Sequence, residues 1–470
     1  MDLFTTTTDA SIITSAIDFN QVHAIWVLVL GILLAYWLGV GMGANDVSNA
    51  FDATWGNEIV SVTAVLGAVF IGFSSTNTIR REVVDLKQFA SDPYELMLGQ
   101  IAILTGSTVW LLFATFTKLP VSPSQSLIGS ILGFAVARRG FHGVNWHMVG
   151  KIITYWFIAP ITSAFISVAL YMFIDIAVLR RKDPFKCALR FLPVFFFFLL
   201  AVNGLAIFFN APDETMLSQI PNWAAISISV GGALIIAAII QLFVKPCIIN
   251  SISDDDTLTS DSSLEKEIKQ VVSRRRGLVR FFQWLIPKSN RFENIRTMKL
   301  FTVMQMFTAG FSGFANGASD MSNIIAPLSI LVDVFITKKV DQDEDVPIYL
   351  MLFGVVARCA GLWAFGDHIQ KTIGKKLYQM NPAIAVSIEL GSGATILYAT
   401  KIGLPMSFTH CQVGSTVGVG ALLHGLNMKW NLVRNMIFYW FFTIPFTGLI
   451  SAGVMTILYF IADNYHDLDR

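Results

Sequence analysis

Apolar stretches separated by short polar interruptions run almost the whole length of the chain. Four of them, Ala24–Gly43, Leu96–Phe116, Ile152–Leu179 and Trp223–Val244, match or exceed the roughly 20 residues that carry a helix across a bilayer. Reading each apolar stretch against its polar flanks predicts about twelve spans. They centre on residues 24–43, 58–75, 96–117, 121–137, 150–178, 190–209, 223–244, 299–318, 347–366, 383–400, 403–423 and 433–461. Two shorter apolar segments, 47–57 and 321–336, follow the first and eighth spans and read as continuations of broken helices. The expected fold is an all-α membrane protein.

The polar positions set the boundaries. Asn250–Thr297 contains the run SDDDTLTSDSSLEKE followed by RRRG, too charged for lipid and too poor in apolar residues to build a core. It reads as a flexible loop between two membrane halves. The expected organisation is an N-terminal tail (1–23), a first transmembrane repeat (24–180), connecting helices (181–248), the loop (249–298), a second repeat (299–461) and a C-terminal tail (462–470). Arg180, Arg181, Lys182 and the long loop are basic, whereas both tails are mainly acidic. By the positive-inside rule the loop is cytoplasmic and both termini are outside, with Arg138–Arg139 an exception. No basic n-region or small-residue cleavage site marks a signal peptide, so the first span is expected to stay in the mature chain.

Composition narrows the function classes. Of 470 residues, 54% are hydrophobic and 14% charged, about half the charge of a soluble chain. The formal net charge of +1 gives no electrostatic claim on nucleic acid. Four scattered cysteines form no metal-ligand spacing, and no Gly-rich loop ending in Lys-Ser/Thr exists to bind a nucleotide. No nucleophile–base pair stands out, so an enzyme is not expected.

The two halves repeat one another. Gly43–Asn49 (GANDVSN) matches Gly317–Asn323 (GASDMSN) at an offset of 274, and LPVSPSQSLIGS (119–130) matches LPMSFTHCQVGS (404–415) at an offset of 285. At the second offset Gly129, Ser130, Gly133, Pro160 and Thr162 recur as Gly414, Ser415, Gly418, Pro445 and Thr447. The repeats begin at spans one and eight. Seven spans is an odd shift, so the halves are expected to be inverted relative to each other. That is the construction of secondary transporters, whose site lies near the midplane where broken helices meet.

The repeated polar residues carry the candidate chemistry. Asp46 and Asp320 each end a hydrophobic run, three residues before Asn49 and Asn323. A carboxylate at membrane depth is costly unless it is paired or binds a cation. A single Asp would read as a helix cap; two at equivalent places favour a hard oxygen shell for Na+, with a proton as the other carrier. Ser122, Ser124, Gln125, Ser407, Thr409 and His410 stand beside helix-interrupting prolines. Hydroxyls joined to helix-start N–H groups bind tetrahedral oxyanions, although small polar residues also serve plain helix packing.

The segments GANDVSNAF, FANGASDMSN-IIAPLS and IELGSGATILYATKIGLPMSFTHCQVGSTVGVG resemble the two signature repeats of the inorganic phosphate transporter (PiT) family. The resemblance runs through both halves, over Ala24–Asn77, Leu96–Ala137 and Met304–Leu423. It implies phosphate uptake coupled to Na+ or H+ with no other cofactor, a twelve-span topology with both termini outside, and re-entrant hairpins around the anion. It also implies that Asp46, Asn49, Asp320 and Asn323 serve the coupling ions and the bound phosphate, with Ser122, Ser407, Thr409 and His410 around the anion. Glu389 matches an acidic position of the family, which assigns it to gating or ion linkage. Its alternative is simple packing. Arg358, mid-span, is expected to form a structural charge balance with an acid such as Glu389 in preference to touching substrate. Several positions depart from the family pattern. Ser319 stands for Asn, Asn316 for His, Gln125 for a titratable His and Gln100 for Glu, and the second span is shortened near Phe70–Ser75. These departures leave the coupling ion open. They also keep two rivals in view, a carrier of another oxyanion such as sulfate and an uncoupled channel or sensor. The expected partners are phosphate, the coupling ion and the bilayer, most simply that of the plasma membrane, with a homodimer admitted.

Overall fold

In a bilayer every backbone N–H and C=O must be satisfied within the chain, which leaves helices as the economical solution for these apolar runs. A computed structural model describes residues 21–45, 54–117, 119, 121–209, 219–253, 286–287, 294–342, 345–377, 380–401, 403 and 406–468. Among them are fourteen helices. The first half holds α1 (Gln21–Asn45), α2 (Thr54–Glu82), α3 (Pro93–Phe116), α4 (Pro123–Arg139) and α5 (Trp146–Ile174). Then come α6 (Pro184–Phe209), α7 (Asn222–Ile239) and, through a π-helical turn, α8 (Lys245–Ser253). The second half holds α9 (Ile295–Asp320), α10 (Ser322–Thr337), α11 (Ile348–Leu377), α12 (Pro382–Lys401), α13 (Phe408–His424) and α14 (Trp430–Leu468). No strand occurs among the described residues beyond one isolated bridge between Val84 and Val144.

Local sequence explains the helix starts. Asp92, Ser122, Asn145, Asn294 and Ser407 are N-caps whose side-chain oxygens accept a backbone N–H three residues on. Pro93 and Pro123 sit in the first turn, where no N–H is needed.

Among the described residues nine helices are long and apolar enough to cross a membrane, against about twelve expected. The other three expected spans are special. The span expected at 58–75 is α2, bent by 47° between Ile59–Phe73 and Ser75–Glu82, and counting it gives ten. The spans expected at 121–137 and 403–423 are α4 and α13, each 17 residues and rich in Ser and Gly. Pairing of hydropathic stretches overlooks such a difference, because short buried helices and full spans look alike over a small window. Of the two continuations of broken helices, 321–336 is α10, separated from α9 by a turn at Met321. The other, 47–57, lies mostly outside the described residues, as does most of the 249–298 loop.

The packing repeats itself when the halves are exchanged. Helix α1 packs on α11 and α3, while its counterpart α9 packs on α2 and α12. Helix α14 packs on α4 and α3; its counterpart α5 packs on α13 and α12. Glycines let these pairs approach closely. A Cβ on Gly43 would overlap the backbone of Arg358 on α11, and one on Gly317 would overlap the backbone of Ala64 on α2. Helices α6 and α7 pack on each other, and α6 also touches α9. The helices inside carry their polar residues inward, and α14, α5 and α7 show wide apolar faces, including Phe165, Trp223, Leu234 and Leu449, each more than half exposed. Such faces are stable only against lipid. The chain is a multi-pass membrane protein.

Candidate functional site

The start of α4 and the start of α13 meet each other. Ser122 and Ser407, 285 residues apart, have nearly the same extended backbone (φ −93°, ψ 119° and φ −85°, ψ 121°). The Ser122 hydroxyl donates to the Ser407 hydroxyl at 2.8 Å. Each serine also caps its own helix, accepting the N–H of Gln125 and of His410 respectively, both at 3.4 Å. Both serines are fully buried, so two helix N-termini, with their partial positive charge, converge inside the protein. Ser124 and Thr409 occupy the second position of the two helices and are buried as well.

The aspartate-bearing motif reaches the same place. Asp320 ends α9 without exposure, and Ser319 donates its hydroxyl to one carboxylate oxygen at 3.2 Å. One helical turn on, the Asn323 side-chain amide donates to the Ser124 hydroxyl at 3.2 Å. Thus Asn323 of the cation candidates and Ser124 of the anion candidates touch. Its other side-chain atom, Oδ1, is buried and has no partner among the described residues.

Asp46 and Asn49 lie outside the described residues. Their immediate predecessor, Asn45, is described. It donates to the Leu119 carbonyl at 2.9 Å and accepts the Val121 N–H at 3.1 Å. The end of α1 is therefore fixed to the loop that leads into α4. Sequence reasoning gave Asn45 no role, although it stands inside the repeated GANDVSN text.

The side chains of Gln125 and His410 take another direction. Both line a cavity of about 550 Å³ walled by α5, α13 and α14, with Trp156 and Trp440 beside His410. The His410 ring lies 4.1 Å from the Trp440 ring, nearly perpendicular to it. Six anion candidates are thus on two adjoining turns, four at the helix starts and two with side chains on the cavity side.

Glu389 lies apart from this group, fully buried on α12. Its partner is Thr308 of α9, whose hydroxyl donates to Oε2, while Oε1 has no partner among the described residues. Arg358 makes no ion pair with it: the charge balance proposed between the two is replaced by a hydroxyl. The reason is placement, since Arg358 rides on α11 against α1, whereas Glu389 faces α9. Sequence reasoning also missed Thr308. An i, i+3 relation or a repeat would have pointed to it, and it has neither with Glu389.

Other serines join helices to one another. Ser163 of α5 donates to the Cys411 carbonyl at 2.8 Å and pairs with Ser415 of α13, which Ser167 also reaches at 2.8 Å. Ser130, which matches Ser415, is reached by Ser107 of α3 at 3.1 Å.

Comparison with known proteins identifies the family. The phosphate transporter family (PHO4) matches residues 42–451. Sodium-dependent phosphate transporter 1-A of Danio rerio is 24% identical, over 96% of this chain and 97% of its own. Sodium-dependent phosphate transporter 2 of Xenopus tropicalis is 26% identical, over 93% of this chain and 98% of its own. A solved structure named the sodium-dependent phosphate transporter superposes with a TM-score of 0.77 at 22% identity, covering 93% of this chain and 100% of that one. That superposition bears on the fold alone. The family match spans both repeated motifs, both converging helix starts and most of the membrane helices, and on it the chain belongs to the phosphate transporter family, whose members are carriers and not enzymes.

Proposed function

We propose that the protein takes up inorganic phosphate by symport with Na+, through alternating access to a site at the facing starts of α4 and α13. The observation that carries this reading is the hydrogen bond between Ser122 and Ser407, which brings two buried helix N-termini to one point. Phosphate enters a low-dielectric interior only with partners for its charge and its oxygens. Helix-start N–H groups and hydroxyls are suited to the oxygens. In this reading Ser122, Ser124, Ser407 and Thr409 supply hydroxyls, and Gln125 and His410 belong to the same donor set through the amides of their turns.

Na+ ions held at Asp46/Asn49 and Asp320/Asn323 offset the charge. A carboxylate facing phosphate at ~4 Å without a cation would cost about 4 kcal/mol even at an effective dielectric of 20. The Asn323–Ser124 contact supports placing ion and anion side by side. The names of the relatives favour Na+ over H+ as the coupling ion. Glu389, paired to Thr308, links ion occupancy to the movement of α9 against α12.

In this reading the halves, 24–180 and 299–461, are inverted repeats that rock about the site. The long loop is cytoplasmic and both termini face outside the plasma membrane. The test is labelled phosphate uptake into proteoliposomes with Na+ and pH varied independently. Asp46→Asn and Asp320→Asn are each expected to abolish Na+-driven accumulation while the protein remains correctly inserted. Accumulation at the unmodified rate by either variant would overturn the assignment.

A further inference from the structure

We propose that the cavity walled by α5, α13 and α14 is a binding site for an uncharged membrane alcohol, a lipid with one hydroxyl head on an apolar body. The cavity measures about 550 Å³, within the range that encloses a drug-sized molecule. Its mouth is formed by side chains that face lipid. Phe157, Ile161 and Phe441 are each more than half exposed, and the Phe157 and Phe441 rings stand 6.1 Å apart across α5 and α14.

Its floor is different. His410 is 1% exposed, Gln125 5% and Trp156 6%. Neither ring nitrogen of His410, nor Gln125 Oε1, nor the indole N–H of Trp156 or Trp440 has a partner among the described residues. These are five unpartnered polar atoms from four elements, gathered at the closed end of an otherwise apolar space.

The occupant's chemistry follows from that inventory. The indoles only donate and Gln125 Oε1 only accepts, while a neutral imidazole does one with each nitrogen. The matching head must therefore both donate and accept in a small volume, as a hydroxyl does. Among the described residues no Asp, Glu, Lys or Arg lines the cavity, so a phosphate-bearing or carboxylate head has no counter-charge there. The walls, Ala164, Val417, Gly418 and Ile437 among them, suit a bulky apolar body.

Gln125 and His410 stand on the first turns of α4 and α13, the turns whose cap serines meet. An occupant thus bears on the back of the transport site and modulates uptake, an effect that rests on the function proposed above; binding itself does not.

The test uses the full-length protein in liposomes with a photoactivatable cholesterol, followed by mass spectrometry of the labelled peptides. Label is expected on the segments around Trp156 and Trp440, competed by unlabelled cholesterol. It should fall about tenfold in Ala421→Trp, which fills the cavity, and in Ile437→Trp, a second variant for the case that the first does not fold. In the unmodified protein, adding cholesterol should change the rate of phosphate uptake, and in both variants it should not. Label spread evenly over the lipid-facing helices overturns the site, as does label that persists in a folded cavity-filling variant. Crosslinks between two copies through Phe157 and Phe441 would assign the face to a dimer instead and overturn it too. Specific labelling without any change in uptake keeps the site and removes its bearing on transport.

Discussion

Replacing Ser122, Ser407 or both by alanine tests the centre of the site most directly. Ser407→Ala removes an N-cap, worth about 1 kcal/mol, and one hydrogen bond between buried hydroxyls, worth about 1 kcal/mol. Stability should therefore fall by about 2 kcal/mol for either single variant. Because the 2.8 Å bond is shared, it is lost only once in the double variant. The double should cost about 1 kcal/mol less than the sum of the singles. Transport reads a further effect. A hydroxyl that donates to an ionised group contributes about 1.5–3 kcal/mol, so each single variant should raise the KM for phosphate at least about tenfold. The double should depart from the product of the singles, because both hydroxyls act on one anion. Initial rates of labelled phosphate uptake, measured over a phosphate series at a fixed Na+ gradient, give KM separately from kcat. Thermal unfolding followed by tryptophan fluorescence gives the stability cycle. Single variants with KM within about twofold of the parent, or a strictly additive cycle, would refute the claim that these two hydroxyls act together on the anion.

Two further substitutions probe what surrounds that centre. Glu389→Gln keeps an acceptor for Thr308 but removes the ionisable group, and is expected to raise the Na+ concentration for half-maximal uptake about tenfold, roughly 1.4 kcal/mol, with the phosphate KM unchanged; an unaltered Na+ dependence would exclude Glu389 from ion linkage. Gly414→Ala would push a Cβ into the Pro160 backbone of α5, and Gly129→Ala would do the same to Ile444 of α14. Each should lower stability by about 1–3 kcal/mol, seen as a lower melting temperature, and equal melting temperatures would show that these helix pairs are not as tightly packed as described.

The membrane class, nine of the about twelve expected spans and the duplicated polar text could be read along the chain. Transfer into lipid is a sum over consecutive side chains, so Ala24–Gly43 or Trp223–Val244 declares itself without reference to anything else. Two aspartates and two hydroxyl-bearing segments declared themselves because the text occurs twice. Other features depended on residues far apart in the sequence. Ser122 and Ser407 share a hydrogen bond across 285 positions, Asn323 reaches Ser124 across 199, and Glu389 finds Thr308 and not Arg358. Helices that are apolar on every side carry little periodicity to tell which face meets protein and which meets lipid. Over a short window a buried helix and a full span look alike, so α4 and α13, each 17 residues and largely buried, read as spans from the sequence. The partnerless floor of the cavity, Gln125 and His410 with two tryptophans, had no signal at all in the sequence beyond a repeated position. By itself the sequence determined that this is a helical membrane protein with a duplicated polar motif, since hydropathy and repetition are local properties. Only the tertiary structure decided which polar groups face each other and which are left without partners, because those relations exist only after the helices have packed.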